Sequence, residues 1–277
     1  MNLFTIDTGY FKLDGGAMFG VVPKSIWNKL NPADDNNMCS WALRCLLIEE
    51  GNRLILVDNG IGNKQDAKFF SHYYLHGEDT LDKSLAKHGF HRNDITDVIL
   101  THLHFDHCGG SIVREGDQLI PAFSNAIYWS NEQHWKWATE PNEREKASFL
   151  KENILPIQES GQLKFVGKHD GFPEFVKIRN AFGHTDAMML PEIIYKNRKI
   201  VFMADLLPSV AHIPIPYVMG YDMFPLTTLK EKKSFLTEAQ GEDMILFFEH
   251  DAFNECCTLQ ATEKGIRQKD CFRLSEL

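Results

Sequence analysis

The chain has 277 residues, of which 43% are hydrophobic and 24% are charged, and its formal net charge at pH 7 is −9. This composition is ordinary for a globular protein of one large domain or two small ones. The acidic balance argues against a nucleic-acid partner, because phosphate binding requires a basic face. No apolar run reaches the roughly 18 residues that a transmembrane helix requires, so we expect no membrane partner.

The N-terminus and the cysteines indicate the compartment. Residues 1–7 lack the basic segment and the apolar core of a secretory signal. No Cys-x-x-Cys pair occurs, and in a chain of this size scattered cysteines favour free thiols in a reducing cytoplasm over a disulfide framework. The six cysteines are Cys39, Cys45, Cys108, Cys256, Cys257 and Cys271. We therefore predict a cytoplasmic protein.

In the N-terminal half, short apolar runs bounded by turn residues alternate with helical spacings of apolar side chains. Strands are predicted at 3–7, 42–49, 53–58, 97–101 and 125–129. Helices are predicted at 66–76 and 143–152. A further helix is predicted to begin at a cap on Asp79 or Thr80 and to end at Gly89, and another to begin at a capping box of Ser130 and Gln133. The loop at 13–23 mixes glycines with apolar side chains, which suits a pocket wall and a buried connector equally.

The C-terminal half continues this alternation. Strands are predicted at 162–166, 174–179, 192–196, 199–204 and 244–248, and a long helix at 227–239. Neither a linker nor a repeat period interrupts the chain. Two similar halves of alternating strands and helices predict one layered α/β domain over residues 1–277.

The strongest functional signal is the segment 101–110, which follows a short apolar strand. His102 and His104 are two apart, so in extended backbone they point to the same side and can share one ion. Asp106 and His107 follow where the backbone turns, which directs them to a second position nearby. Three histidines and an aspartate at this spacing are rare by chance, so we predict a metal-binding loop in preference to an ordinary polar loop.

Further ligand-type residues lie just past other predicted strands, where open sheets place their sites. His184, Asp205 and His250 each follow a strand of the C-terminal half. The remaining histidines are expected to be solvated or to lie in the core. They are His72, His76, His88, His91, His134, His169 and His212. His212 alone lies in a segment bounded by prolines, 208–214, from which it can reach into a pocket.

Seven of these residues resemble, in order and spacing, the metal-binding signature of the metallo-β-lactamase superfamily, and the resemblance extends over residues 3–255. They are His102, His104, Asp106, His107, His184, Asp205 and His250. The resemblance implies a four-layer αβ/βα sandwich with two divalent metal ions at one edge. Histidine and carboxylate ligands without thiolate suit zinc, with manganese or iron as alternatives.

The resemblance also implies a role for each ligand. It assigns the first ion to His102, His104 and His184, and the second to Asp106, His107 and His250. Asp205 bridges the two ions in this assignment. Asp106 is further expected to carry a proton from the attacking water to the leaving group.

Within the superfamily, four stretches resemble the N-acyl homoserine lactone lactonases and the methyl parathion hydrolases. They are 13–16, 55–60, 102–110 and 247–251. In the lactonases, apolar residues of the N-terminal loop and of the segment after the Asp-x-Gly turn line an acyl pocket. The corresponding residues here are Met18, Phe19, Phe69, Phe70 and Tyr73. Spacing alone favours the core for the last three, whereas the resemblance favours the pocket.

One position departs from the lactonase pattern. The best-known lactonases place a tyrosine three residues after the bridging aspartate, where it contacts the lactone carbonyl. This chain has Pro208 at that position, and His212 is the candidate to replace the contact.

The implied activity is the opening of a lactone, of the N-acyl homoserine lactone type, or of a similar small ester by a metal-bridging hydroxide. Phosphotriester or aryl-ester cleavage is the alternative, because the same hydroxide serves displacement at phosphorus. An iron-dependent redox enzyme of the same fold is an alternative of another class, although its oxygen-reducing members normally adjoin a flavin domain. The absence of a basic cluster disfavours a glutathione thioesterase. Apolar residues at 17–27, including Phe19 and Trp27, are candidates for a homodimer contact.

Overall fold

The strands of the N-terminal half form one mixed sheet in the computed structural model, which describes residues 1–277. Its strands are Asn2–Asp14 (β1), Met38–Glu50 (β2), Arg53–Val57 (β3), Asp97–Ile99 (β4), Ile127–Ser130 (β7) and Leu163–Phe165 (β8). Between β4 and β7 the chain forms a separate two-stranded hairpin of Ile112–Glu115 (β5) and Gln118–Pro121 (β6). The sheet order is β1-β2-β3-β4-β7-β8. β1 to β3 pair antiparallel, and β3, β4, β7 and β8 run parallel.

The C-terminal half forms a second six-stranded sheet. Its strands are Val176–Ala181 (β9), Met188–Tyr195 (β10), Arg198–Phe202 (β11), Ile245–Phe247 (β12), Cys256–Thr262 (β13) and Gly265–Phe272 (β14). They lie in the order β14-β13-β12-β11-β10-β9. Only β11 and β12 pair in parallel, so the carboxyl ends of these two strands meet at the same edge.

The helices are Gly15–Phe19 (α1), Lys24–Trp27 (α2), Ala67–Ser71 (α3), Leu81–Lys87 (α4), Phe105–Cys108 (α5), Glu132–Thr139 (α6), Lys151–Glu159 (α7) and Pro225–Gly241 (α8). Helices α4, α6 and α7 pack on the first sheet and α8 on the second, whereas α1, α2 and α5 lie at the edge that carries a cavity. None of the helices has the length and hydropathy that crossing a bilayer requires. All six cysteines are free thiols.

The inner strands of the first sheet, β2, β3, β4 and β7, are buried on both faces, which explains why their apolar residues are consecutive instead of alternating. In β2, Leu46 and Ile48 belong to a core cluster of 32 residues shared with the second sheet and α8. Cys45 and Leu47 point the other way, into a cluster of 22 residues shared with α4 and α7. The result is a four-layer αβ/βα sandwich, which confirms the predicted fold class.

The structure corrects the predicted charged helix at 143–152. Residues 143–148 form turns, and α7 begins only at Lys151. The side chain of Asn142 accepts hydrogen bonds from the backbone N–H groups of Arg144 and Glu145, at 2.9 and 3.1 Å. Asn142 therefore starts the turn as an N-cap would, but the segment ends at Ser148, whose carbonyl accepts a hydrogen bond from the backbone N–H of Phe105 at 3.0 Å and not from a further helical turn.

Other predicted bounds also differ. Asn131, not Ser130, caps α6 by accepting from the backbone N–H groups of Gln133 and His134. The helix predicted at 66–76 spans only α3, and the chain leaves helical geometry at Tyr74, where φ is 46°.

Three strand predictions were incomplete. β1 extends to Asp14, beyond the predicted end at residue 7, because it pairs with β2 along its length. β10 begins at Met188, four residues earlier than predicted. The hairpin of β13 and β14 was missed because most of its residues outside the first half of β13 are polar and solvent-accessible.

The turn that carries His184 packs directly against α8. Gly183 accepts a hydrogen bond from the backbone N–H of Phe224 at 2.8 Å, and its own N–H donates to Glu231 at 3.0 Å. A Cβ at Gly183 would lie 2.3 Å from Thr228 Oγ1 and 2.4 Å from the Thr228 nitrogen. Only glycine allows this approach.

We therefore expect Gly183→Ala to lower the free energy of unfolding by about 1–3 kcal/mol, because α8 must shift to admit the methyl group. Gly241→Ala, at the other end of α8, is the matched control, since its Cβ would meet nothing within 4 Å. Urea unfolding of both variants measures the difference. Equal stability of the two would contradict the close packing described here.

Candidate metal centre

The seven ligand-type residues converge at one edge of the sandwich. Segment 102–107 follows β4, His184 follows β9, Asp205 follows β11 and His250 follows β12. All seven side chains are buried, and their donor atoms form groups of three within 4.8 Å of one another. The structure thus brings together every ligand position that the sequence predicted.

The first group consists of three histidine nitrogens. His102 Nε2 lies 3.1 Å from His104 Nδ1, and His184 Nε2 lies 3.2 Å from the same atom. A tetrahedral ion with metal–nitrogen bonds of about 2.0–2.1 Å has nitrogen–nitrogen edges of about 3.3 Å. The spacing of these nitrogens therefore fits an ion of the size of zinc.

The remaining ring nitrogen of each of these histidines faces a hydrogen-bond acceptor. These acceptors are the Thr101 hydroxyl for His102 at 3.1 Å, Glu145 for His104 at 2.9 Å and Asp222 for His184 at 2.9 Å. Each acceptor fixes the proton on the outward nitrogen, which leaves a lone pair on the nitrogen that faces the group. Three lone pairs that converge on one point are suited to binding a cation.

The second group combines two histidines with two carboxylates. His107 Nε2 and His250 Nε2 are 3.1 Å apart, and Asp106 Oδ2 lies 3.7 Å from each of them. Asp205 Oδ1 lies 3.2 Å from His250 Nε2 and 3.7 Å from His107 Nε2. Two nitrogen and two oxygen donors again suit a divalent ion.

Asp205 faces both groups. Its Oδ2 lies 3.1 Å from His184 Nε2 in the first group, while Oδ1 points at the second group and accepts no hydrogen bond. A buried carboxylate oxygen without a donor is costly unless a cation neutralises it. Asp205 therefore lies between the two groups, with one carboxylate oxygen facing each of them.

The second group is supported from behind by three further acceptors. His107 Nδ1 lies 3.1 Å from Asp58 and 2.9 Å from Glu249, and His250 Nδ1 donates to the Ala42 carbonyl at 2.8 Å. Asp58 directly follows β3 in the left-handed region, with φ of 55°. The sequence indicated a turn there but not this role.

Protonation in the site reflects burial, which opposes charge on the imidazole rings, and neighbouring carboxylates, which favour it. Burial lowers the pKa of His102 and of His104, which keeps both rings in the neutral form that binds metal. Burial also opposes a charge on His250, but the neighbouring Asp205 carboxylate outweighs it and raises the pKa of His250 to about 9. Without a cation, protons balance the charge of Asp205, and metal binding displaces such protons.

The metal centre opens into a cavity of about 370 Å³. Met18 and Tyr73 line it, as predicted. Most of the remaining wall comes from residues that the sequence did not single out. They are Leu13, Phe105, Arg144, Glu145, Ala147, Ser148, Met219, Gly220, Tyr221 and Met223. Most of these lie in irregular segments without hydrophobic periodicity, so no sequence signal marked them.

Four predicted pocket residues do not line the cavity. Phe19 is fully buried behind it, stacked on Trp27, so neither ring is exposed for a dimer contact. Phe69 and Phe70 are half-buried outside the lining. Phe69 instead supports the wall from behind, with ring centroids 5.0 Å from Tyr73 and 5.3 Å from Phe105.

His212 is the fourth of these residues. Its Nε2 donates to the Met18 carbonyl at 2.9 Å, and its Nδ1 accepts from the Ser209 hydroxyl at 2.8 Å. Burial lowers the pKa of His212 to about 3, so the ring is neutral. With both nitrogens engaged, His212 positions Met18 and does not replace the contact that Pro208 removes.

A buried lysine fixes the wall segment that precedes α8. Lys232 of α8 is fully buried, and its ammonium donates to the carbonyls of Pro214, Ile215 and Tyr217 at 3.1, 3.3 and 2.7 Å. Three donors thus meet three acceptors. The segment leads directly into Asp222, which orients His184, so α8 also determines the geometry of the first group.

The sequence model of the metallo-β-lactamase superfamily matches residues 44–250. The chain belongs to this superfamily. The match covers both groups of ligand-type residues, and it confirms the resemblance inferred from the sequence.

Solved structures of superfamily proteins align with nearly the whole chain. A protein described as a probable metal-dependent hydrolase from Staphylococcus aureus aligns with a TM-score of 0.88 at 28% identity, covering 98% of this chain and 96% of its own. The dizinc quorum-quenching lactonase AidC, in complex with the product N-hexanoyl-L-homoserine, aligns with a TM-score of 0.79 at 23% identity, covering 98% and 95%.

A third structure, the hydrolase AbOPH of the β-lactamase superfamily, aligns with a TM-score of 0.78 at 20% identity, covering 98% of this chain and 94% of its own. At these identities AidC and AbOPH show a shared fold only. None of the curated proteins matches the sequence.

Removing the acceptor behind His184 tests the geometry of the first group. We expect Asp222→Ala to weaken zinc binding by about 10- to 100-fold, because the ring loses the partner that fixes its orientation and proton. Competition with a chromophoric chelator measures the affinity. Asp117→Ala, in the exposed turn between β5 and β6, is the control. Unchanged affinity in Asp222→Ala would contradict the role of Asp222 in orienting His184.

Proposed function

We propose that the two groups hold two divalent metal ions, with zinc as the first candidate and manganese or iron as alternatives. His102, His104 and His184 hold one ion, and Asp106, His107 and His250 hold the other. Asp205 bridges them. The observation that carries this proposal is that the two oxygens of Asp205 face two separate sets of histidine nitrogens. We further propose that residues 1–277 form one domain.

The activity that this site supports best is hydrolysis of a lactone or of a similar small ester. When bound by these residues, two divalent ions would supply a nucleophilic hydroxide at neutral pH and Lewis acidity toward the carbonyl. Asp106 lies in the cavity wall, where its carboxylate can take a proton from the attacking water and return it to the leaving oxygen. The apolar wall formed by Met18, Phe105 and Met219 holds the acyl portion and excludes water.

The likeness to AidC, described as a dizinc lactonase, makes N-acyl homoserine lactones the first substrates to test. Phosphotriester or aryl-ester hydrolysis is the second candidate. Two observations favour it. Pro208 occupies the position of the lactonase tyrosine, and both ring nitrogens of His212 are hydrogen-bonded elsewhere. No residue from 206–213 therefore lines the cavity to contact a lactone carbonyl as that tyrosine does. Metal analysis with an absorption spectrum tests the iron-dependent redox alternative.

A substrate panel tests the reaction class. The zinc-loaded protein is assayed with homoserine lactones of short and long acyl chain, γ-lactones, 4-nitrophenyl acetate and an aryl phosphotriester. We expect cleavage of the carboxylic substrates. Phosphotriester cleavage without ester or lactone cleavage would move the protein to the second candidate, and no hydrolysis of any substrate would refute both.

Two ligand substitutions test the site itself. His104→Ala and Asp205→Ala should reduce both bound metal and turnover to background, because each removes a donor that no neighbour can replace. His72→Ala, at an exposed histidine, should retain both properties. Metal content and turnover are measured on the same preparations. Turnover in either ligand variant at the wild-type rate would contradict the assignment.

A further inference from the structure

Arg144 is the one cationic side chain in the lining of the cavity. Its guanidinium donates one hydrogen bond, from Nη2 to the Gly220 carbonyl. The two neighbouring carboxylates are engaged elsewhere, since Glu143 pairs with Lys146 and Glu145 accepts from His104. Most of the N–H donors of Arg144 therefore have no acceptor in the protein.

The backbone around Arg144 is held in place. Its N–H donates to Asn142 at 2.9 Å, which fixes the turn that carries it. Gly220, its partner across the cavity rim, donates from its N–H to the Ala17 carbonyl at 2.7 Å. Arg144 thus lies where the rim segments that contain Asn142, Gly220 and Ala17 meet. Its backbone is held in place, while most of its guanidinium N–H groups have no acceptor in the protein.

A guanidinium with free donors is suited to a planar anion. It stays charged at every relevant pH and binds a carboxylate through two parallel hydrogen bonds. The protein as a whole carries a net charge of −9, which repels anionic ligands. Arg144 is solvent-exposed at the rim of the cavity, and a positive group there offsets this repulsion at the entrance to the site.

We propose that Arg144 determines specificity by binding a carboxylate at the far end of the substrate, so that the site prefers esters or lactones whose acyl portion carries a carboxylate. This inference rests on the proposed ester or lactone hydrolysis. The metal centre binds the reacting carbonyl, the apolar wall binds the intervening methylene groups, and Arg144 binds the distal carboxylate.

The alternative role of Arg144 is a structural tie between the rim segments through Gly220. The two roles differ in a measurable way. A tie affects all substrates alike, whereas a carboxylate-binding residue affects the ratio between anionic and neutral substrates.

The test compares the 4-nitrophenyl hemiesters of glutaric and adipic acid with their neutral methyl-capped diesters, on the zinc-loaded protein. We expect the wild type to prefer the hemiesters in kcat/KM by about ten- to a hundredfold, mainly through KM. Added salt should reduce this preference. Arg144→Gln should remove it, and Arg144→Lys should retain part of it, because lysine keeps the charge without the planar fork.

Lys151→Gln is the matched control, since it removes the same charge from an exposed residue of α7 that lies outside the cavity lining and leaves the pair of Glu143 and Lys146 intact. It should keep the wild-type ratio. A ratio near one in the wild type, an unchanged ratio in Arg144→Gln, or an equal loss with both ester types would overturn the inference while leaving ester hydrolysis intact. Failure to cleave any carboxylic ester, 4-nitrophenyl acetate included, would instead overturn the proposed function and this inference with it.

Discussion

The buried carboxylate of Asp205, between two sets of histidines, determines how the site must be neutralised. Asp205 directs one oxygen at His184 and the other at His250, and Oδ1 has no hydrogen-bond donor. Burying such a charge is unfavourable without a cation. The parallel pairing of β11 and β12 places Asp205 and His250 side by side, so the sheet topology creates the charge arrangement that metal ions would neutralise.

The surrounding packing keeps the histidines in position. Gly110 lies so close to the turn after β3 that a Cβ there would be 2.2 Å from the Asn59 carbonyl. Lys64 donates to the Gly109 carbonyl at 2.5 Å, which fixes the same loop from another side. Because Asp58 lies in that turn and faces His107, the close approach and the histidine orientation depend on each other.

The sequence predicts those site residues whose signal lies in neighbouring residues, and it misses those that only the folded chain brings to the site. The loop from His102 to His107 and the single ligand-type residues after β9, β11 and β12 are local features, so they were visible without a structure. Glu145 and Asp222 were missed because only long-range packing brings them to the histidines. His212 was assigned to the pocket from its position in the chain, but its ring turns inward because Ser209 and the Met18 carbonyl satisfy both nitrogens.

Anomalous X-ray scattering from crystals of the zinc-loaded protein, recorded at the zinc absorption edge, would show whether two metal ions share Asp205. We expect two peaks about 3.5–4 Å apart, as in two-metal hydrolytic sites. One peak should lie against the three histidine nitrogens of the first group, the other against His107 and His250, and Asp205 should contact both. A single peak, or two peaks that do not share Asp205, would contradict the proposal that Asp205 bridges two metal ions.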